Sequence, residues 1–237
     1  MARPVIHALI PAAGQGRRFG GAVLKQYAPI AGRPLLAHAI EAVSRHPDIA
    51  GVTVVLGEDD ALFAQLIGRG HAGMHTASGG ATRAQSVLNG LHAIRAGFPE
   101  TEWVLVHDAA RPCLPAACLD ALLDAGLARP DGAILAVPLL DTLKRGDAAG
   151  AIVATVERDG LWAAQTPQLF PLGRLSAALE AMLAAGEIPT DEASAMQYAG
   201  ARPLLVMGSA ANIKITRPAD LVLAEAWLAA QSREAAA

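Results

Sequence analysis

Short apolar runs of β character alternate along this chain with longer stretches of helical period, and that alternation limits the fold more than any other feature. Residues 5–10, 52–56, 103–107 and 133–137 are short, apolar and mostly followed by Gly, Asp or Pro, as buried strands are. Between them, residues 35–45, 60–67, 83–96 and 115–128 have helical spacing. In the last of these, Leu119, Leu122, Leu123 and Leu127 form one apolar stripe. Alternation with short connections implies an α/β fold, a mainly parallel sheet with helices on both faces. Such a sheet binds its ligand at the carboxyl ends of its strands.

The rhythm breaks at residues 141–158. Residues 142–145 and 152–157 are β-like and the Gly146–Gly150 link is turn-rich, so a projecting β-hairpin arm is expected at about 139–160. Its apolar face, Ile152, Ala154 and Val156, needs cover that a second subunit would provide. Further on, helices are expected at 172–185, 191–198 and 218–231, and β structure at 203–207 and 213–215. No internal repeat or linker divides the sequence, so residues 1–237 are expected to form one domain carrying an arm.

Composition narrows the class. With 53% hydrophobic and 17% charged residues the chain has ample apolar surface for a core, which excludes disorder. Charge, Pro or Gly interrupts each apolar stretch well before the roughly 18 residues of a membrane span. The first apolar run contains His7 and ends at Pro11, so no signal peptide is expected. A net charge of −3 is far from the strongly basic balance of a nucleic-acid binder. Cys113 and Cys118 match neither a disulfide framework nor a zinc site and are expected to be buried free thiols. A soluble, cytoplasmic protein with no nucleic-acid or membrane partner is the expectation.

Of the 19 basic residues only three are lysines, Lys25, Lys144 and Lys214. In a chain that otherwise prefers Arg, a retained compact ammonium draws attention. The first strand runs into Pro11-Ala12-Ala13-Gly14-Gln15-Gly16-Arg17-Arg18-Phe19-Gly20. Gly and Ala let a backbone approach a ligand closely, and successive amides can cradle phosphate oxygens. The P-loop pattern is absent, and the third Gly of a dinucleotide fingerprint comes one place late. Arg17, Arg18 and Lys25 put three cations within nine residues, which suits a polyphosphate. An NAD(P)-dependent oxidoreductase on a similar sheet remains the alternative from another class, and a surface turn with solvated arginines the reading without function.

This loop resembles the Ala-Ala-Gly-x-Gly-x-Arg…Lys-Gln-Tyr signature of the nucleotidyltransferase superfamily. The blocks Gly79-Gly80-Ala81-Thr82-Arg83-Ala84-Gln85-Ser86-Val87 and Val106-His107-Asp108-Ala109-Ala110-Arg111-Pro112 follow in order. After them come Asp141-Thr142-Leu143-Lys144, Arg158-Asp159-Gly160-Leu161-Trp162, Gln165-Thr166-Pro167-Gln168, Thr190-Asp191-Glu192-Ala193-Ser194 and Asn212-Ile213-Lys214-Ile215-Thr216. Together they resemble the 2-C-methyl-D-erythritol 4-phosphate cytidylyltransferase family over nearly the whole chain.

The resemblance implies a Rossmann-like nucleotidyltransferase sheet in a homodimer. The implied reaction joins CTP and 2-C-methyl-D-erythritol 4-phosphate, with Mg²⁺, into 4-diphosphocytidyl-2-C-methyl-D-erythritol and pyrophosphate in the non-mevalonate isoprenoid pathway. A ribitol 5-phosphate cytidylyltransferase is the alternative within the class. By resemblance, Arg18, Lys25 and Lys214 are the catalytic cations, and Ala12, Ala13, Gly14, Gly79, Gly80 and Ser86 contact the nucleotide. Asp108, Arg111, Thr142, Arg158 and Thr166 would contact the alcohol phosphate, with Asp108 also helping to place Mg²⁺ and with Thr142 and Arg158 serving the neighbouring subunit. Asp108 has a second reading as a helix cap or an ion-pair partner of Arg111, and Arg158 as an arm-to-body salt bridge. The attacking phosphate in such a reaction is already ionised, so the lack of a Ser–His–Asp set is no obstacle, and His107 is expected to be a core or rim residue. Two positions depart from the family pattern: Leu24 stands where Pro is usual, and Ala81 where an acid is common.

Overall fold

The computed structural model describes residues 3–14, 24–58, 60–68 and 73–234. Within them the elements run β1 (Ile6–Pro11), a 3-10 turn (Lys25–Tyr27), β2 (Pro29–Ile30), β3 (Arg33–Pro34), α1 (Leu35–Ser44), β4 (Ile49–Leu56), α2 (Leu62–Leu66) and β5 (Met74–Ser78). The middle of the chain forms α3 (Arg83–Gly97), β6 (Trp103–Val106), α4 (Ala116–Leu127), β7 (Ala133–Pro138), β8 (Leu143–Gly146), β9 (Ile152–Val156) and β10 (Trp162–Pro171). Helices α5 (Leu172–Ala184) and α6 (Glu192–Tyr198), strand β11 (Leu204–Met207) and helix α7 (Asp220–Glu234) complete it.

Seven strands form one sheet in the order β11-β7-β10-β6-β1-β4-β5. All neighbours are parallel except β10, which runs antiparallel to both β7 and β6. Side chains alternate across each strand with period two, which decides what each face packs against. Ile6, Ala8 and Ile10 of β1 meet Leu36 and Ile40 of α1 and Leu119 and Leu122 of α4 on one face. Leu9 points the other way, into a cluster with Val87 and Leu91 of α3 and Leu175 and Leu179 of α5. Both faces are therefore covered, which is why β1 reads as a continuous apolar run.

Three differences from the sequence expectations have physical causes. Residues 213–215 are not a strand: Ile215 donates one backbone bond to Ala110 at 2.8 Å, and the segment follows the loop after β6 instead of another strand. Strand β5 is half polar and partly exposed at the sheet edge, so it lacks an apolar signature. Strand β10 is hidden by Gln165, Thr166, Pro167 and Gln168, and its register with β7 breaks between Ala164 and Gln168. The arm explains the direction of β10. Strands β8 and β9 pair as a separate antiparallel hairpin, so the chain leaves β7 and returns reversed beside it. Ile152 and Val153 on that arm are 69% and 58% exposed. Among the described residues, no helix is long and apolar enough to cross a membrane.

Gly132, in the turn before β7, has φ +73°, and a Cβ there would lie 2.2 Å from the Leu169 carbonyl oxygen. Gly132→Ala combines a disfavoured backbone with a clash against the neighbouring strand. It should lower unfolding stability by about 2 kcal/mol or more, measured by urea titration.

His7 and His107 are buried titratable groups in this core. His7 Nε2 lies 2.9 Å from Thr53 Oγ1, and burial lowers its pKa to about 4. Burial does the same to His107. The unfolded chain therefore binds more protons than the native state between about pH 6.5 and pH 4, and stability is lost as pH falls through that window. The melting temperature should decline over this range, and His7→Gln should show a shallower slope. Equal slopes would assign the acid sensitivity to other groups.

Candidate active site

In chain order β1 is followed on one side by β4 and β5, after which the chain crosses to β6 on the other side. The carboxyl ends of β1 and β6 thus flank the switch point of the sheet, where an open α/β fold leaves a crevice. A cleft of about 710 Å³ lies there. Its walls include Ala12, Ala13 and Gly14 after β1, Asp108 and Ala110 after β6, and Gly80, Thr82 and Ser86 at the start of α3. Thr82 caps α3, its hydroxyl accepting from the Gln85 N–H at 3.1 Å, so the positive end of a 15-residue helix faces the cleft.

Two of the three lysines enter this space from opposite ends of the sequence. Lys25, in the 3-10 turn, donates to the Ile215 carbonyl at 3.1 Å. Its turn is anchored on both sides: Gln26 Nε2 donates to Ala12 O at 3.0 Å, and Tyr27 Oη donates to Asp60 Oδ2 at 2.7 Å. Lys214 Nζ lies 2.7 Å from Asp108 Oδ2. The Asn212 side chain holds this segment, donating to Thr166 O at 2.8 Å and Gln165 Oε1 at 3.2 Å. Asp108 itself is 7% exposed. Burial opposes its charge, but Arg83 and Lys214, with Arg111 beyond them, outweigh that and hold the carboxyl well below the usual carboxylate range.

The structure brings together most of the expected site residues. Ala12, Ala13, Gly14, Gly80 and Ser86 of the nucleotide set, the cations Lys25 and Lys214, and Asp108 of the alcohol-phosphate set all line the cleft. Gly79 lies just behind them; a Cβ on it would sit 2.4 Å from that of Ala13, so the two loops can touch only with glycine there. Ser86 Oγ accepts from the Gly80 N–H at 3.0 Å and fixes the turn between β5 and α3. Arg18 lies outside the described residues, as do Arg17 of the same loop and Asp59 of the acidic run.

The alcohol-phosphate set is split. Thr142 and Arg158 are exposed on the arm, where Arg158 donates to the Leu140 carbonyl, and neither lines the cleft of its own chain. Arg111 is turned inward: Nη1 donates to Asn212 O at 2.6 Å, and Nε lies 3.9 Å from Asp108 Oδ2. Its Nη2 makes only a long contact, 3.5 Å to Ala164 O, and its buried Nε has no hydrogen-bond partner among the described residues, so its expected role as a phosphate clamp is carried forward as a proposal. Thr166 is also buried, and its hydroxyl accepts from the Asp108 N–H at 2.9 Å. It holds the backbone of Asp108, and its expected contact with the alcohol phosphate is carried forward as a proposal. His107 fits the expectation of a core residue, with Nε2 2.9 Å from Arg111 O.

Magnesium coordination by Asp108 does not fit while Lys214 is paired with it. Asp108 Oδ1 accepts from Arg83 at 3.0 Å and Oδ2 faces Lys214, so both oxygens are committed to cations. Among the described residues no group of three His, Cys, Asp or Glu side chains could hold a metal. The second reading of Asp108 as an ion-pair partner applies, with Arg83 and Lys214 as partners closer than Arg111. Arg83 and Glu192 also belong to this site, and the sequence assigns them no role; the one signal in it is Glu192, an acid beside the helix-capping Asp191 within the run Glu192-Ala193-Ser194-Ala195. Cys113 is buried, and burial raises its thiol pKa to about 12.

The family model described as 2-C-methyl-D-erythritol 4-phosphate cytidylyltransferase (IspD) matches residues 6–230. A protein of that name from Halorhodospira halophila is 52% identical over 228 residues, covering 94% of each chain. One from Acidithiobacillus ferrooxidans is 51% identical over 231 residues, 95% of this chain and 97% of the relative. A crystal structure of 4-diphosphocytidyl-2C-methyl-D-erythritol synthase superposes with a TM-score of 0.83 at 40% identity, over 95% of this chain and 100% of that one. In sequence and in overall fold, this chain belongs to the 2-C-methyl-D-erythritol 4-phosphate cytidylyltransferase family.

Proposed function

We propose that this enzyme transfers the cytidylyl group of CTP to the phosphate of 2-C-methyl-D-erythritol 4-phosphate, releasing pyrophosphate, as a step of isoprenoid biosynthesis. Family membership supports the reaction, and the convergence of Lys25 and Lys214 on one cleft is the observation that carries it. A phosphate oxygen of the alcohol forms a bond to the α-phosphorus in line as the bond from that phosphorus to the bridging oxygen breaks. The electron pair leaves with pyrophosphate. The two reactants together bring about five or six negative charges near neutral pH, so their meeting requires cations.

Lys25 and Lys214 supply compact charge, and Arg18 is proposed as a third cation. The amides after β1 and the positive end of α3 cradle phosphate oxygens. Ala12, Ala13, Gly14, Gly79, Gly80 and Ser86 read the nucleoside, largely through backbone groups. No general base is needed because the attacking oxygen is already ionised, which agrees with a fully buried His107 of low pKa. Magnesium, the divalent ion proposed for the reaction, would be carried on the triphosphate oxygens of CTP, since the described residues offer no group of three His, Cys, Asp or Glu side chains to hold it.

We also propose a homodimer in which the arm seats on a second copy and delivers Thr142 and Arg158 to the partner's site. The exposed Leu140, Ile152 and Val153 on and beside the arm support this, since an isolated apolar hairpin is poorly stable in water.

Pyrophosphate release from CTP with purified enzyme should depend on methylerythritol phosphate; turnover confined to ribitol 5-phosphate would replace the proposed substrate. Lys25→Ala and Lys214→Ala should each lower kcat about a hundredfold, as removal of a transition-state donor does. A mere halving would remove the lysine from the chemistry. Mixing Lys25→Ala with Arg158→Ala protein should restore up to about a quarter of wild-type activity, because half the sites in each mixed dimer are intact. No recovery on mixing would place Arg158 in its own chain's site or outside catalysis.

A further inference from the structure

Arg83 opens α3 at the edge of the cleft and lies against two carboxylates. Its Nη1 donates to Glu192 Oε1 at 2.6 Å, while Nη2 is shared between Glu192 Oε2 at 3.2 Å and Asp108 Oδ1 at 3.0 Å. Glu192 is 1% exposed and stands on the first residue of α6. That helix end is rigidly held. Asp191 accepts from the Ser194 N–H at 2.9 Å, and the Ser194 hydroxyl caps in return. Gln168 of β10 braces the same turn, donating to Asp191 Oδ2 at 2.9 Å and accepting from the Ala193 N–H at 2.9 Å. A buried carboxylate on a braced helix end thus grips one side of a planar guanidinium, and the other side grips Asp108.

We propose that Arg83, clamped by Glu192, is a positioning residue for the Asp108–Lys214 pair. Asp108 is bracketed, with Arg83 on Oδ1 and Lys214 on Oδ2. When Lys214 turns toward a phosphate, Asp108 loses one counter-ion. A buried carboxylate stripped of all cations would take up a proton or swing out of place. Arg83 prevents this because Glu192 stops it from following the phosphate. The fork geometry is essential: a lysine could satisfy one carboxylate as a point charge but could not bridge both with parallel bonds. The inference rests on the proposed function only in taking a phosphate as the group that draws Lys214 away.

Arg83→Gln, Arg83→Lys, Glu192→Gln and the Arg83→Gln/Glu192→Gln double variant test this by steady-state kinetics in both substrates, with thermal melts alongside. Arg83→Gln should lower kcat/KM for the alcohol phosphate by at least about tenfold while the KM for CTP stays within about threefold. Arg83→Lys should recover part of the rate. Glu192→Gln should show part of the same loss although it lines no wall of the cleft, and the double variant should be no slower than Arg83→Gln alone. Wild-type kcat/KM in all four at a temperature where they are folded would overturn the proposal and leave a purely structural ion pair. So would an equal loss in the KM for CTP, or additive losses in the double variant. If Arg83→Gln does not fold, Arg83→Lys and Glu192→Gln carry the comparison. The wild-type rate with methylerythritol phosphate tests the assigned reaction, whereas variant-to-wild-type ratios, taken with whichever alcohol phosphate the wild type uses, test the positioning role.

Discussion

A site that gathers two phosphorylated molecules must concentrate positive charge before they arrive, and like charges do not stay together unaided. In this chain the Lys214–Asp108 contact resolves that conflict. Asp108 stands at the end of β6, its N–H held by the Thr166 hydroxyl, with Arg83 from α3 and Lys214 from the segment before α7 on its two oxygens. One carboxylate therefore ties the middle of the chain to its C-terminal part at the ligand end of the sheet. Burying such a cluster adds little net stability, but removing one partner leaves an uncompensated charge that costs about 3–5 kcal/mol. Here, with Arg83 and Arg111 also beside it, Asp108 keeps counter-ions of its own apart from Lys214, which suits a place where geometry matters more than strength.

The Lys25 side of the cleft is built by the opposite means, through neutral hydrogen bonds at the root of the loop. Gln26 reaches back to Ala12 and Tyr27 reaches to Asp60, so the turn carrying the lysine is fixed from both directions. Leu24, which replaces a usual proline, has φ −56° and ψ 134°. That φ is close to the value a proline ring imposes, so the backbone takes the same path without the ring. At the other departure, Ala81, the neighbouring turn keeps its shape through Ser86 on the Gly80 amide and Asn89 on the Gly79 carbonyl. Both substitutions remove a local device whose work neighbouring hydrogen bonds already do.

Much of the fold was legible because burial on both sheet faces writes a plain signal. β1, β4, β6 and β7 are predominantly apolar, α1 and α3 follow with helical spacing, and α4 carries the expected stripe. Legibility failed where a strand carries polar side chains for a purpose. In β10 the run Gln165-Thr166-Pro167-Gln168 leaves the ladder with β7 and spends its side chains elsewhere: Thr166 on Asp108, Gln165 and Asn212 on each other, Gln168 on the α6 turn. The site was legible to the same degree. Loop glycines and lysines announce themselves by type and spacing, whereas the roles expected of Arg111 and Thr166 come only from the family resemblance, and in space both also hold neighbouring protein groups. Only the three-dimensional partner separates a side chain that meets a ligand from one that holds the side chain that does.

That distinction orders the polar residues of this end of the molecule. Gln168 and Asp191 brace Glu192, Glu192 grips Arg83, and Arg83 and Thr166 set Asp108 against Lys214. Each link is more buried than the lysine it leads to, whose side chain is 42% exposed. The most exposed member is thus the last one, which in the proposed mechanism exchanges a carboxylate for a phosphate. Were the chain less constrained upstream, the entropy lost in fixing Asp108 would fall on the binding step. Because folding has already fixed it, substrate binding has only to order the final ammonium.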